Sequence, residues 1–335
     1  MRSVFSLMAA SALLAACGGS DDNNNGAGNN PGTTVPAKGF LTSANYVGVA
    51  QTALQTNAYV LNISDLVFGV QVTDPQMLVK LGQEPLRRLW RTADAKPPQA
   101  LGVVEIEEEP CDGGGKQVFE YNDANNNGVE DAGDSITLAA QSCSLGNVVL
   151  NGQARVVLNS ISGDSESYPF SFSGTIFYNN LSLEAPGERI SSNGTMSVNF
   201  SAPSEDFEDY TLRAPSFSVT RVLGGKTSTQ TLQNYEVSLK ARPASRQDQL
   251  YTSSVGGTLV DTALDGQSLA VRTTLPFERL SSQPYANRGE ITVTDRTGAK
   301  VRATVTSATT VTIDLDADAN GSYETSVNKL WSELF

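Results

Sequence analysis

Read along the chain, apolar positions change period near the end of its first third. From Phe40 to about Asp94 they recur at helical spacing: Tyr46, Val49, Ala50, Ala53 and Leu54 make one stripe, and Met77, Leu78, Leu81, Leu86, Leu89 and Trp90 make another. Asp74-Pro75 reads as an N-cap followed by proline at the first helical position, and Pro85 as a kink or break. After Pro97-Pro98 the period becomes two. Short alternating runs follow at Val103–Glu107, Gln117–Tyr121, Ser135–Leu138, Val148–Leu150 and Ala154–Leu158. They continue at Phe170–Tyr178, Thr195–Phe200, Thr211–Val222, Thr231–Lys240, Thr258–Val260, Ser268–Leu275, Glu290–Thr294 and Lys300–Leu315. Turn-forming pairs punctuate them: Asn151-Gly152, Ser162-Gly163, Asn193-Gly194, Gly224-Gly225, Asp265-Gly266 and Thr297-Gly298. Strands at this spacing without intervening helices predict a mainly β fold, an antiparallel meander, sandwich or incomplete barrel, with short helices at its N-terminal entry. Membrane-spanning strands need longer apolar rows and aromatic girdles, and 7% aromatic residues argue against them.

The first 39 residues follow neither period. Arg2 precedes an apolar run, Leu7–Ala16, too short for a permanent membrane span, which ends in Leu14-Ala15-Ala16-Cys17. This segment resembles the lipobox of bacterial lipoproteins. The resemblance implies a signal peptide over 1–16, acylation of Cys17 and anchoring in a membrane. Three acyl chains hold far more firmly than one, because each buried methylene adds about 0.8 kcal/mol. Gly18, where an Asp would favour retention in the inner membrane, implies the outer membrane, facing either the periplasm or the exterior. Residues 17–39 are rich in Gly, Asn, Ser, Asp and Pro and read as a flexible tether. Residues 40–335 remain for one β-rich domain, with a partly helical entry at 40–98 and antiparallel strands over 99–335.

Composition then narrows the chemistry. The 335 residues include no histidine, which excludes a Ser-His-Asp triad, His-ligated zinc or haem and an imidazole proton shuttle. A formal charge of −13 argues against a nucleic-acid partner. With Cys17 lipidated, Cys111 and Cys143 are left as an even pair in an oxidising compartment, where a disulfide is expected. If Asp123 and Asp134 face each other across a hairpin, Cys143 falls opposite Gly114, and the run Gly113-Gly114-Gly115 has to absorb the offset from Cys111 as a bulge.

Two acidic loops carry the most specific motif. Asp123, Asn125, Asn127, Gly128, Val129, Asp131 and Asp134 fall on positions one, three, five, six, seven, nine and twelve of a pattern resembling the calcium loop of EF-hands and dockerins. Alternate residues can wrap their oxygens around one hard cation, Gly128 makes the sharp turn and Val129 offers its carbonyl. Position twelve is Asp where the family has Glu, and the flanks read as strands where the family has helices. The second loop, Asp316, Asp318, Asn320, Gly321, Ser322 and Glu324, repeats the core; Val327 at position twelve cannot ligate, so Asp314 or a water has to complete the shell. The resemblance implies structural Ca²⁺ bound weakly, with a dissociation constant of about 10⁻⁴–10⁻³ M.

Weaker signals lie elsewhere in the chain. Gly225-Lys226-Thr227 resembles the end of a phosphate-binding loop, and Ser326 with Lys329 has the spacing of a penicillin-binding serine and lysine. Carboxylates at Glu107–Glu109, Glu205, Asp206, Glu208 and Asp209 offer pairs of the kind a glycosidase uses. The reading that draws on most of these features is a non-catalytic envelope lipoprotein whose calcium-stabilised β-domain serves scaffolding, adhesion or binding of a protein or glycan partner. A carboxylate-dependent surface glycan hydrolase and a lipid or lipoprotein carrier with an apolar cavity are the alternatives.

Overall fold

The computed structural model describes residues 39–67, 105–145, 148–163, 167–245 and 248–335. The second predicted helical stripe, the Pro97-Pro98 boundary and Cys17 with its tether lie outside them. Helix α1 spans Tyr46–Val67, and the five residues of the first stripe, Tyr46, Val49, Ala50, Ala53 and Leu54, are all buried. That face packs against strands whose ranges follow.

Fourteen strands form one sheet in strict sequence order, each antiparallel to the next. They are β1 (Glu105–Pro110), β2 (Lys116–Asn122), β3 (Ser135–Leu145), β4 (Val148–Ser162), β5 (Phe170–Ala185), β6 (Glu188–Ser204) and β7 (Phe207–Leu223). The remainder are β8 (Lys226–Pro243), β9 (Gln249–Asp261), β10 (Gln267–Leu280), β11 (Arg288–Thr294), β12 (Lys300–Val305), β13 (Thr310–Asp316) and β14 (Thr325–Leu330). A four-residue helix, α2 (Trp331–Leu334), closes the chain. The architecture is therefore an open meander: among the described residues, β1 and β14 each have a neighbour on one side only and do not pair with each other. Helix α1 contacts β8, β9, β11, β12, β13 and α2. The edge strand β1 is Glu-Ile-Glu-Glu-Glu-Pro, and dense charge with a proline discourages addition of a further strand.

Three expectations about the strands need correction. Val148–Leu150 and Ala154–Leu158 belong to the single strand β4, and Asn151-Gly152 between them is no hairpin turn. Asn193-Gly194 likewise lies inside β6. Conversely, Lys300–Leu315 is two strands joined by a turn at 306–309, and β14 follows as a strand that the alternation had not suggested.

The Asn-Gly pairs belong to a crease that crosses the long strands. Register shifts occur between Ala140 and Cys143 on β3, Tyr178 and Leu181 on β5, and Gln233 and Glu236 on β8. Each contains a residue in the left-handed region: Ser142 (φ 48), Asn180 (φ 48) and Asn234 (φ 47). Glycines with positive φ lie on the neighbouring strands: Gly152 against Asn180, Gly257 against Asn234 and Tyr235, and Gly194 against Ser216 and Phe217 of β7. An extra residue on one strand reverses the faces of all residues beyond it. The apolar phase of the sequence changes at the same place. On β5 the buried set passes from Phe170, Phe172, Ile176 and Tyr178 to Leu181 and Leu183; on β8 it passes from Leu232 to Tyr235, Val237 and Ala241. The bulges thus keep one apolar face inward along strands of 16–18 residues, about 55 Å at ~3.3 Å per residue.

Candidate cation-binding loops

Because every connection is a hairpin, alternate loops fall at opposite ends of the sheet. The loop between β2 and β3 (123–134, loop A) lies at one end, and the loop between β13 and β14 (317–324, loop B) lies at the other. The two predicted ligand sets are therefore separate sites.

Loop A is held by the pairing expected for it. The β2–β3 register runs from Lys116↔Gln141 to Asn122↔Ser135, which leaves Asp123 and Asp134 facing each other at the neck. Asp134 is buried; Oδ1 accepts from Ala124 N at 2.9 Å and Oδ2 from Asp131 N at 2.8 Å. Asp123 Oδ1 accepts from Asn126 N (2.6 Å) and Asn127 N (3.3 Å), and Oδ2 accepts from Gly128 N (2.7 Å). The bond from Gly128 is the main reason that the Asp123 carboxyl titrates below its usual range; burial opposes it, and the weaker bonds from Asn126, Asn127 and Asn125 add to the lowering. Asn125 Oδ1 accepts from Asn127 N, and Asn127 Oδ1 from Val129 N, each a local Asx bond two residues forward. The two amide nitrogens converge on Asp131 Oδ2 at 2.6 Å each, while Asp131 Oδ1 is buried with no hydrogen-bond donor.

Loop B repeats this frame. Asp316 is fully buried; Oδ1 accepts from Asn320 N (3.1 Å) and Oδ2 from Gly321 N (3.0 Å). Asp318 Oδ1 accepts from Asn320 N, and Asn320 Oδ1 from Ser322 N at 2.7 Å. The φ values agree at position four (62° at Asn126, 61° at Ala319) and are positive at position six (72° at Gly128, 88° at Gly321). An alanine at positive φ is unusual, since its Cβ crowds the following carbonyl. Glu324 folds back across the loop, its Oε2 accepting from Ala317 N at 3.0 Å. One carboxylate oxygen from each of Asp316, Asp318 and Glu324 lies within 4.8 Å of the others. Asp314, expected to complete this shell, is engaged elsewhere: Oδ2 accepts from Arg302 Nε (3.1 Å) and Nη2 (2.8 Å), and Oδ1 from Ser326 Oγ (2.7 Å). Arg302 also lies 4.0 Å from the centroid of the Tyr323 ring and so pins the residue before Glu324.

Cys111 and Cys143 form a disulfide with Cα atoms 5.4 Å apart, at the end of the β2–β3 hairpin away from loop A. The glycine run has a different role from the expected bulge. It makes the reversal from β1 to β2, with Gly114 N donating to Cys111 O (3.0 Å) and Cys111 N to Gly115 O (3.2 Å). The bulge falls on β3, at Ser142.

The weaker signals separate. Ser326 and Lys329 are three apart on one strand and so point to opposite faces; Ser326 donates to Asp314 and Lys329 to Glu333. Gly225-Lys226-Thr227 opens the β7–β8 hairpin and precedes no helix. Asp209 pairs with Arg242 at 2.6 Å. Among the described residues, Asp123, Asp248, Asp295 and Glu333 are held below the usual carboxylate range.

Asp295, at the β11–β12 turn, was not singled out from the sequence. It is buried, and its Oδ2 accepts from Phe40 N (2.8 Å) and Leu41 N (3.1 Å), where the chain enters the domain. Its Oδ1 accepts from Thr297 N, Thr297 Oγ1 and Ala299 N at 2.7–3.2 Å. The available signal was Asp295-Arg-Thr297-Gly298, an Asx-turn sequence. Comparison with family models, curated proteins and solved structures returns no match.

Proposed function

We propose that the chain is a non-catalytic bacterial envelope lipoprotein, anchored in the outer membrane through Cys17, whose β-domain is stiffened by calcium and serves scaffolding, adhesion or binding of a protein or glycan partner. The observation that carries the calcium part is the convergence of Asp316, Asp318 and Glu324 oxygens within 4.8 Å on a loop whose backbone is already folded around them. Three like charges at that spacing repel, and a hard divalent cation relieves the repulsion. In loop A, the orphaned Asp131 Oδ1 and the oxygens of Asn125 and Asn127, each with a second lone pair, suit the same ion. A cation there has to displace two amide N–H donors from Asp131, whereas in loop B one side-chain amide, that of Asn320, donates to Asp318. The lipobox at Leu14–Cys17 supports the anchor.

Thermal melting in millimolar Ca²⁺ and in chelator tests the ion. At about ten times the dissociation constant, which is 1–10 mM Ca²⁺ here, the expected stabilisation is about 1.4 kcal/mol per site, a rise of a few degrees that Asp316→Ala and Asp123→Ala each reduce. An unshifted wild-type transition ends the calcium reading. Metabolic labelling with palmitate tests the anchor: label is expected on the wild type and absent from Cys17→Ser.

A further inference from the structure

The two open edges of the sheet differ in chemistry. On one, β1 carries four glutamates and a proline. On the other, β14 reads Thr-Ser-Val-Asn-Lys-Leu; it pairs with β13 without a bulge and has no proline and one charge. The ladder shows which of its backbone groups lie open. Trp331 N donates to Thr309 O at 3.0 Å, in line with the register that sets Leu330 opposite Thr310. Bonded positions alternate in an antiparallel pair, so Thr325, Val327 and Lys329 exchange bonds with β13, and Ser326, Asn328 and Leu330 turn N–H and C=O away from it. Two further bonds agree. Thr306 N donates to Thr310 O, so the even positions of β13 belong to β12. Leu330 N, turned outward, is met by Glu333 Oε2 at 2.7 Å. Ser326, Asn328 and Leu330 are exposed, and among the described residues no second strand pairs with this edge.

We propose that β14 is a self-association edge, which pairs antiparallel with β14 of a second copy of this chain about a two-fold axis at Asn328. That register sets Asn328 opposite its own counterpart, Ser326 opposite Leu330 of the second copy, and Val327 opposite Lys329 of the second copy. The open groups then match. The two Asn328 residues exchange two bonds, and Ser326 N–H of each copy donates to the Leu330 carbonyl of the other, four bonds in all, with the Glu333 cap on Leu330 N left in place. Charge permits the pairing. Lys329, the one charged residue of β14, is matched by Glu333 at 3.1 Å, so the axis brings no like charges together. The same operation on β1 sets glutamate against glutamate, and β14 holds no spare cation to attract β1 of another copy. Leu330, 51% exposed, gains cover beside Ser326 of the second copy. An isologous contact of this kind closes at two copies.

Proline at 328 removes an N–H that β13 does not use. Asn328→Pro therefore leaves the β13–β14 ladder whole, at the expense of one exposed bond from Thr312 Oγ1 (2.7 Å), and takes two bonds from the pairing between copies. Sedimentation velocity of the full-length protein in detergent, from micromolar to millimolar concentration, is expected to show a monomer–dimer equilibrium that Asn328→Pro weakens by about tenfold or more. Crosslinking reads the register. Asn328→Cys sets two thiols across the axis with Cα atoms about 5.5 Å apart, within disulfide range, and should join two copies on mild oxidation. Ser326→Cys lies opposite Leu330, so its two thiols are several residues apart and should not join. A monomer at every concentration overturns the proposal, as does association that Asn328→Pro leaves unchanged or that crosslinks equally through 326 and 328. Strong exchange protection of the Ser326 and Asn328 amides in a monomer shows another segment of the same chain on this edge, which overturns it too. Should Asn328→Pro fail to fold, the contrast between 326 and 328 decides alone.

Discussion

Replacing Asp295 with alanine removes the acceptor of five hydrogen bonds that hold the chain entry and the β11–β12 turn together. Not all of them cost the same. The Thr297 donors are exposed and turn to water, and Phe40 is half-buried. Leu41 and Ala299 are buried, at 1% and 0% exposure, and their N–H groups lose their partners. A buried donor left unsatisfied costs about 1–3 kcal/mol, so the substitution is expected to destabilise by about 3–4 kcal/mol. Asn keeps one oxygen and turns an amide nitrogen toward the donors on the other side, which should cost about half as much. The assay is urea unfolding monitored by tryptophan fluorescence, with amide exchange of Phe40 and Leu41 as a local readout. Alanine within 1 kcal/mol of wild type, or unchanged exchange at both amides, refutes the reasoning. The same carboxylate carries a pH dependence. Burial alone would raise its pKa, but hydrogen bonds from Thr297, Leu41 and Phe40 outweigh burial and hold it below the usual range. A group lowered in the folded state contributes fully above its unfolded pKa of about 4 and loses that contribution as pH falls through the folded value. Protection of the Phe40 and Leu41 amides, relative to their intrinsic exchange at the same pH, should therefore fall below pH ~4, and an Asp295→Asn variant should lose this part of the acid response.

Reduction of Cys111–Cys143, which closes a 32-residue separation, should lower unfolding stability by roughly 3–4 kcal/mol; a reduced protein with an unchanged urea midpoint contradicts this. Gly152→Ala should destabilise by more than about 2 kcal/mol, because φ is 96° and the new Cβ overlaps the Asn180 carbonyl, whereas Gly187→Ala, at similar φ with nothing nearby, should cost only about 1 kcal/mol. Equal midpoints for the two variants would remove the argument that the crease is sterically specified.

The first helical stripe and most strand positions were legible because period is a local property. Each buried residue of Tyr46–Leu54 can be read from its neighbours three and four positions away. The β2–β3 pairing, the disulfide partners and the twelve-position spacing of loop A were legible for the same reason: one hairpin contains them all. The long strands misled where a signal has two structural uses. Asn-Gly supplies positive φ equally to a turn and to a bulge, and the choice depends on what the neighbouring strand needs. At Gly152 that neighbour is Asn180, nearly thirty residues later, so no window around Asn151-Gly152 contains the answer.

The sequence by itself determined the chemistry that is absent, the antiparallel β class, and two loops with the residue types of a calcium site. Those follow from composition and from patterns shorter than a hairpin. Tertiary structure decided that the two loops lie at opposite ends, that Asp314 belongs to Arg302, and that Asp295 holds residues 40 and 41 from some 255 positions away. A strict meander alternates its turns between two ends, so counting strands correctly is what assigns each loop to its end. The clasp exists only because the sheet carries the β11–β12 turn to the point where the chain begins its helix.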